Sequence, residues 1–305
     1  MKIPALFLIF LSLASVLAAE TIRIASYNVK NYLVTDRLVE GRWRPAYPKP
    51  ELEKAAVRES ILAVRPDILV LQEMGGLPFL EELREDLARL GLHYPYAVLM
   101  QGADEERRVA VLSLLPPQEV VKHGDLDFKY FDRRELVKRG LLEMSFEGPD
   151  GERFQLFAVH LKSRWTDEPK DPESAMRRTR EAEACRNRVV ERTLDLDPAA
   201  RFLVVGDFND HPRSAALRRF QQRGDLTIGQ RVPAADASGL FWTHFYEKQS
   251  SYSTVDGFVL SESLLPLVRD GAGTVHGDAA AMRGSDHRLV YIDLEAGAEV
   301  SADGP

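Results

Sequence analysis

Short apolar runs alternate along this chain with longer stretches in which apolar residues recur every three or four positions. Residues 22–27 (IRIASY), 67–71 (DILVL), 109–112, 202–205, 258–260 and 289–294 carry the dense apolar character of buried strands. Residues 141–146 and 154–159 flank Gly148-Pro149-Asp150-Gly151, a turn signal that predicts an antiparallel hairpin. Residues 50–64 read as a helix: Pro50 suits the first turn, Val57, Ile61 and Val64 share a face, and Pro66 blocks continuation. Leu80, Leu83, Leu87 and Leu90 make a second helical stripe, closed by Gly91. Residues 173–194 predict a long polar helix with Ala182, Cys185 and Val189 inward. Its Arg177, Arg178 and Arg180, followed by Glu181 and Glu183, predict a solvated charged face.

Helices alternating with strands, plus at least one hairpin, imply an α/β protein with mixed sheets rather than one purely parallel sheet. No linker-like segment divides the chain, so residues 20–297 read as one domain and 298–305 as a disordered tail. Residues 1–19 have the plan of a signal peptide: Lys2, an apolar core over 3–16, then small residues suited to cleavage. They predict a secreted or periplasmic monomer with no stable membrane insertion after cleavage.

Composition narrows the chemistry. In 305 residues, 45% are hydrophobic and 29% charged, the balance of a globular protein with a full core. The net charge of −7 argues against avid, sequence-independent nucleic-acid binding, though not against gripping a few phosphates in one groove. A single cysteine, Cys185, excludes an internal disulfide framework and a cysteine-based zinc site. No P-loop, G-x-S-x-G elbow or H-E-x-x-H occurs, and the glycines at 271, 273 and 277 miss the dinucleotide spacing.

Unusual polar residues gather at the ends of the apolar runs. Asn28 follows IRIASY, Glu73 follows DILVLQ, His160 follows FQLFAV, and Asp207 and Asn209 follow RFLVVG. Asp256 opens DGFVL, and Asp286-His287 precedes RLVYIDL. Each alone is an ordinary turn former or core histidine. If the strands share sheets, with the last one or two reversed, all meet at one edge, where open α/β sheets bind ligands. Carboxylates with an asparagine carbonyl make a hard-oxygen site that suits Mg²⁺ or Mn²⁺. A carboxylate beside an amide holds and activates a water, and a histidine oriented by a carboxylate donates to an oxyanion. The set suits metal-assisted hydrolysis of a phosphate ester.

The ordered segments SYNVKNY, LVLQEM, FAVHLKSR, VVGDFND, STVDGFVLS and GSDHRLV resemble those of the endonuclease/exonuclease/phosphatase superfamily over about residues 22–294. The resemblance implies a four-layer α/β sandwich, two mixed β-sheets packed face to face with helices outside. It implies Glu73 as main metal ligand with Asn28 and Asp286 assisting, and Asp207 as the group that orients or deprotonates water. Asn209 would hold the phosphate or that water, and His287, paired with Asp256, would stabilise charge on the phosphate. His160 matches the deoxyribonuclease-I and sphingomyelinase branches, where it acts near the leaving group. Lys162 and Arg164 stand just past it, placed to reach substrate phosphates, and Trp43, Tyr47 and Trp165 fall between the matched segments as candidate groove residues.

Two positions depart from the family pattern. Lys30 stands where many members carry an acid, which weakens any second metal site and favours one metal. Ser113-Leu114-Leu115-Pro116 lacks a phosphate-binding arginine that members often carry there. The function these features predict is an exported phosphodiesterase, foremost a nuclease acting on nucleic acid. The alternatives are a sphingomyelinase-like or inositol-phosphate-like phosphoesterase and, last, a non-catalytic binding protein on the same fold.

Overall fold

The computed structural model describes residues 21–277 and 281–296. The predicted signal peptide and the tail from residue 298 lie outside them. A seven-stranded sheet centres on Thr21–Tyr32, which runs parallel to Ile68–Met74 and antiparallel to Val290–Glu295. A six-stranded sheet centres on Phe202–Asp207, parallel to Arg153–His160 and antiparallel to Asp256–Leu260. Leu141–Glu147 pairs with Arg153–His160 as the predicted hairpin. Both sheets are mixed, each with its reversed strand beside a parallel pair.

Strand alternation builds the layers. Side chains of successive strand residues point to opposite faces. Ile22, Ile24, Ile68 and Val70 from the first sheet meet Leu156, Leu203, Val205 and Phe258 from the second, all buried between the sheets. The intervening residues Ala25, Tyr27, Leu69 and Leu71 turn outward, against helices α1 (Glu51–Val64) and α2 (Leu77–Arg89). On the far side Phe157, Val159, Phe202 and Val204 face α3 (Ala175–Arg192) and α4 (Ala215–Gln221). The result is helix, sheet, sheet, helix. Full burial of each such side chain contributes roughly 1.5–3 kcal/mol, so every strand holds its register firmly.

Helix ends follow local chemistry, with small corrections to the expected bounds. Pro50 is the N-cap of α1 rather than a first-turn residue, and Arg65 ends it in a left-handed conformation just ahead of Pro66. Leu90 caps α2 and is exposed, so the buried stripe stops at Leu87. The long helix is the larger departure. Arg177 and Arg178 are buried, not solvated: Arg178 pairs with Asp210 at 3.0 Å and donates to the carbonyls of Lys162 and Glu173. The helix N-terminus therefore anchors two loops that lead into the site.

Candidate active site

Four strands end and two begin at one edge of the sandwich, and the polar residues sit there. Asn28 and Glu73 lie on the paired parallel strands of the first sheet. His160 and Asp207 are register partners in the second, and Asp207 pairs across to Asp256. Gly206 makes this close spacing feasible. A Cβ at Gly206 would stand 2.0 Å from the Val159 carbonyl oxygen, and its φ is +145°. Only glycine lets the two strands approach directly beneath Asp207.

Asn28 ties the two sheets together. Its amide nitrogen donates to Asp207 Oδ2 at 3.0 Å and lies 3.4 Å from Glu73 Oε1, while its Oδ1 accepts from the Lys30 backbone N–H. In this conformation Asn28 braces the two carboxylates and keeps its oxygen on its own turn. Glu73 Oε2 accepts from the Asn31 backbone N–H at 2.8 Å. Glu73, Lys30, Asn31 and Asn209 all have positive φ, a conformation costly for residues with a Cβ. Strained backbone of this kind clusters at functional sites.

Asp207, Asp256 and His287 form one cluster with their ligand atoms within 4.8 Å of one another. Asp256 Oδ2 holds His287 Nδ1 at 2.9 Å, and His287 Nε2 stands 4.0 Å from Asp207 Oδ2. Burial opposes charge on His287, but the negative fields of Asp256 and Asp207 overcome it and push the imidazole up to about 10. Burial, with Asp256 nearby, pushes the Asp207 carboxyl up to about 7. Asn209 supports Asp207 with its backbone N–H on Oδ1 at 2.8 Å and its amide on Oδ2 at 3.2 Å.

His160 is different in kind. Its Nε2 lies 3.6 Å from Asp207 Oδ2, and its Nδ1 is buried without a partner. Burial and the positive charge of Arg139 hold it well below the ordinary histidine value, so it stays neutral at pH 7. One histidine is thus cationic and the other neutral. Opposed environments of this kind divide acid–base roles.

The donor set fits a hard divalent cation beside Glu73: carboxylate oxygens, with Glu73 opening onto a cavity that leaves room for water and substrate oxygens. The tightest clusters of potential ligands lie elsewhere, at Asp207–Asp256–His287 and His244–Asp286–His287. Both share His287, and the second contains Asp286, which the sequence points to as a metal-side residue. Asp286 meets Lys30 Nζ at 3.4 Å, which places the half-exposed lysine at the rim of the site.

The cavity has a volume of 360 Å³ and is lined by Glu73, His160, Arg107, Lys138, Arg139 and Lys162 among others. Arg139 is buried with Nε and Nη1 unpartnered, and Asp104 engages only Nη2, at 3.2 Å. A buried guanidinium with two nitrogens unpartnered, beside two site residues, marks this cavity as one that suits an anion. Sequence reading passed over it, because Lys138-Arg139-Gly140 looks like an ordinary charged turn. Glu181, fully buried, accepts from the Lys138 and Lys162 backbone N–H groups at 3.1 and 2.7 Å and so fixes both basic loops. Lys162 lines the cavity, but its ammonium folds over the Trp165 ring and bonds its own loop. Burial, then Arg139, lowers its pKa to about 8. Arg164 is exposed, and its charge reaches His244. Trp165 joins the cavity wall, whereas Trp43 lies exposed on the Val34–Val39/Arg42–Pro48 hairpin with Tyr47.

A profile of the Endonuclease/Exonuclease/phosphatase family matches residues 25–287. No curated protein matches the chain by sequence. Among solved structures, the human Nocturnin catalytic domain is similar at 17% identity, TM-score 0.61, covering 90% of this chain and 95% of that one. Beta toxin of Staphylococcus aureus is similar at 14% identity, TM-score 0.62, covering 89% and 99%. A mutant of that toxin has been solved with bound magnesium ions. Truncated TDP2 of Caenorhabditis elegans is similar at 16% identity, TM-score 0.58, covering 90% and 98%. At such identities the likeness establishes a shared fold. Among the described residues, no helix is long and apolar enough to cross a membrane.

Proposed function

Since the chain belongs to the endonuclease/exonuclease/phosphatase family, whose members hydrolyse phosphoester bonds, we propose that it is an exported, Mg²⁺- or Mn²⁺-dependent phosphodiesterase that cleaves nucleic acid. The observation that carries the reading is the division of charge at one strand edge: carboxylates Glu73 and Asp207 braced by Asn28, a cationic His287 and a neutral His160. The signal-like residues 1–19 support export.

Glu73 would hold the cation, with Asn28 and Asp286 nearby; bound there, it supplies positive charge to the phosphate oxygens. Asp207 takes a proton from the attacking water, and its raised pKa makes it a better base near neutrality. His287, held by Asp256, donates from Nε2 to a non-bridging phosphate oxygen. His160, being neutral, donates a hydrogen bond to the leaving oxygen rather than a proton. Water adds to phosphorus, the ester P–O bond breaks, and solvent protonates the departing oxygen. Arg139, in the wall of the same cavity, adds positive charge beside the phosphate.

Protein supplied with Mg²⁺ is expected to hydrolyse bis(4-nitrophenyl) phosphate, to stop on addition of EDTA and to resume with Mg²⁺ or Mn²⁺. Mg²⁺ should also raise the melting temperature of the wild type and not of Glu73→Gln. Hydrolysis indifferent to EDTA, or absent altogether, overturns the reading. Arg139→Met is expected to raise KM roughly tenfold or more while changing kcat less, since it removes a positive charge from the cavity wall. Steady-state kinetics on the same diester measure that split.

A further inference from the structure

An aromatic surface adjoins the acid–base cluster, lined by other residues than the cavity of Arg139. Phe241 and Tyr252 are 68% and 61% exposed, large rings that a globular surface rarely leaves in water together. They belong to the hairpin of His244–Tyr246 and Ser251–Ser253 and the segment leading into it. Tyr252 packs against Trp242 at 4.9 Å and Phe245 at 4.7 Å between ring centroids. Arg288 covers Trp242 at 4.3 Å. Tyr252 and Trp242 are therefore held stiff, while most of the Phe241 and Tyr252 surface stays free.

This surface is stitched to the acid–base unit. The His244 ring is 4.5 Å from that of His287, the Phe245 N–H donates to the Asp286 carbonyl, and the Arg288 N–H donates to the Thr243 carbonyl. The Thr243 hydroxyl accepts from the Asp256 backbone N–H. Two open depressions of 740 and 690 Å³ flank Phe241 and share His211, two residues beyond Asn209. Arg213 and Arg231 line the second. Arg231 is half-buried, and among the described residues its guanidinium makes no hydrogen bond or ion pair.

We propose that this surface stacks the bases of a single-stranded nucleic acid whose scissile phosphate lies at Asp207, with Arg213 and Arg231 meeting the next phosphates. The proposal rests on the phosphodiesterase reading and names its substrate class. Free ring faces interleaved with arginines suit planar bases joined by phosphates, because every base offers a π-face. An acyl chain would want a continuous aliphatic trough, whereas Arg213 and Arg231 interrupt the depression that Pro233, Ala234 and Ala272 line beside Phe241. Bases in a duplex are already stacked on each other, so single strands are favoured. With a net charge of −7, affinity comes from this local patch and falls with salt.

Fluorescence anisotropy with a labelled single-stranded oligodeoxynucleotide about ten nucleotides long, in EDTA so that nothing is cut, tests the idea. Phe241→Ala and Tyr252→Ala are each expected to weaken binding roughly tenfold, while Phe241→Trp retains it. Duplex of the same sequence should bind less tightly than the single strand. Melting temperatures of the alanine variants matching wild type would show that the loss is of stacking and not of folding. Wild-type protein that ignores the oligonucleotide, or alanine variants that bind it as well as wild type, overturn the proposal. So does loss of association with sphingomyelin vesicles while oligonucleotide binding stands, which would assign the surface to lipid. Failure to hydrolyse the small diester refutes the enzymatic reading instead, and leaves the anisotropy result to judge the surface by itself.

Discussion

Asp207→Asn is expected to lower kcat on a phosphodiester by about 10²–10⁴-fold with the protein still folded, because an amide cannot take the proton of the attacking water. On the activation barrier that is about 3–5 kcal/mol. Asp207 accepts from Asn28, from the Asn209 backbone and from the Asn209 amide, and all three donors act on its oxygens. An asparagine keeps the shape but turns an NH₂ group toward at least one of those donors. The burial that raises the carboxyl to about 7 penalises a charge the amide does not carry, so stability near neutrality should change little. Single-turnover kinetics with a melting curve separate the outcomes. A variant retaining more than a tenth of wild-type kcat would remove Asp207 from the proton transfer.

The second large effect concerns pH. His287 must be cationic to donate to the phosphate, and its pKa of about 10 places the alkaline limb of the rate profile near that pH. Asp256→Asn removes the foremost charge that raises it, leaving burial less opposed. The limb should then move to lower pH by about 1–3 units, the usual influence of one opposite charge at this range. Stability follows the same sign. A histidine raised from 6.5 stabilises the fold fully below 6.5 and loses that contribution as pH rises through 10. Asp256→Asn should therefore cost stability at pH 7 and narrow its difference from wild type at pH 11. A pH–kcat profile with an unmoved limb would mean that another group carries the transition.

Much of this arrangement was legible in the sequence because it depends on strand periodicity. Buried strands in a mixed sheet need apolar residues at every position, so the runs ending in Asn28, Glu73, His160 and Asp207 stood out against polar surroundings. The reversed strands behind Asp256 and His287 were visible for the same reason. What stayed hidden was long-range pairing of charge. Arg178 and Glu181 stand one turn before Ala182 and Cys185 on the inward face, but a charged residue there gives no sign of its partner, and one grips Asp210 and the other two basic loops. Arg139 was concealed likewise, since a guanidinium left with two nitrogens unpartnered is a property of its enclosure. The orientation of Asn28 and the pairing of Lys30 with Asp286 depend on side-chain rotamers, which residue order does not encode.

Glu73 and Asn28 ride on one sheet, and Asp207, His160 and Asp256 on the other. The gap between the two halves of the chemistry is accordingly gauged by the bulk of side chains such as Ile24, Val70, Leu156 and Val205, none of which touches substrate. Interiors tolerate exchange of apolar residues when total volume is kept. Evolution can thus rewrite that filling almost freely while the width of the jaw stays constant, and drift between distant members need not blunt the bite.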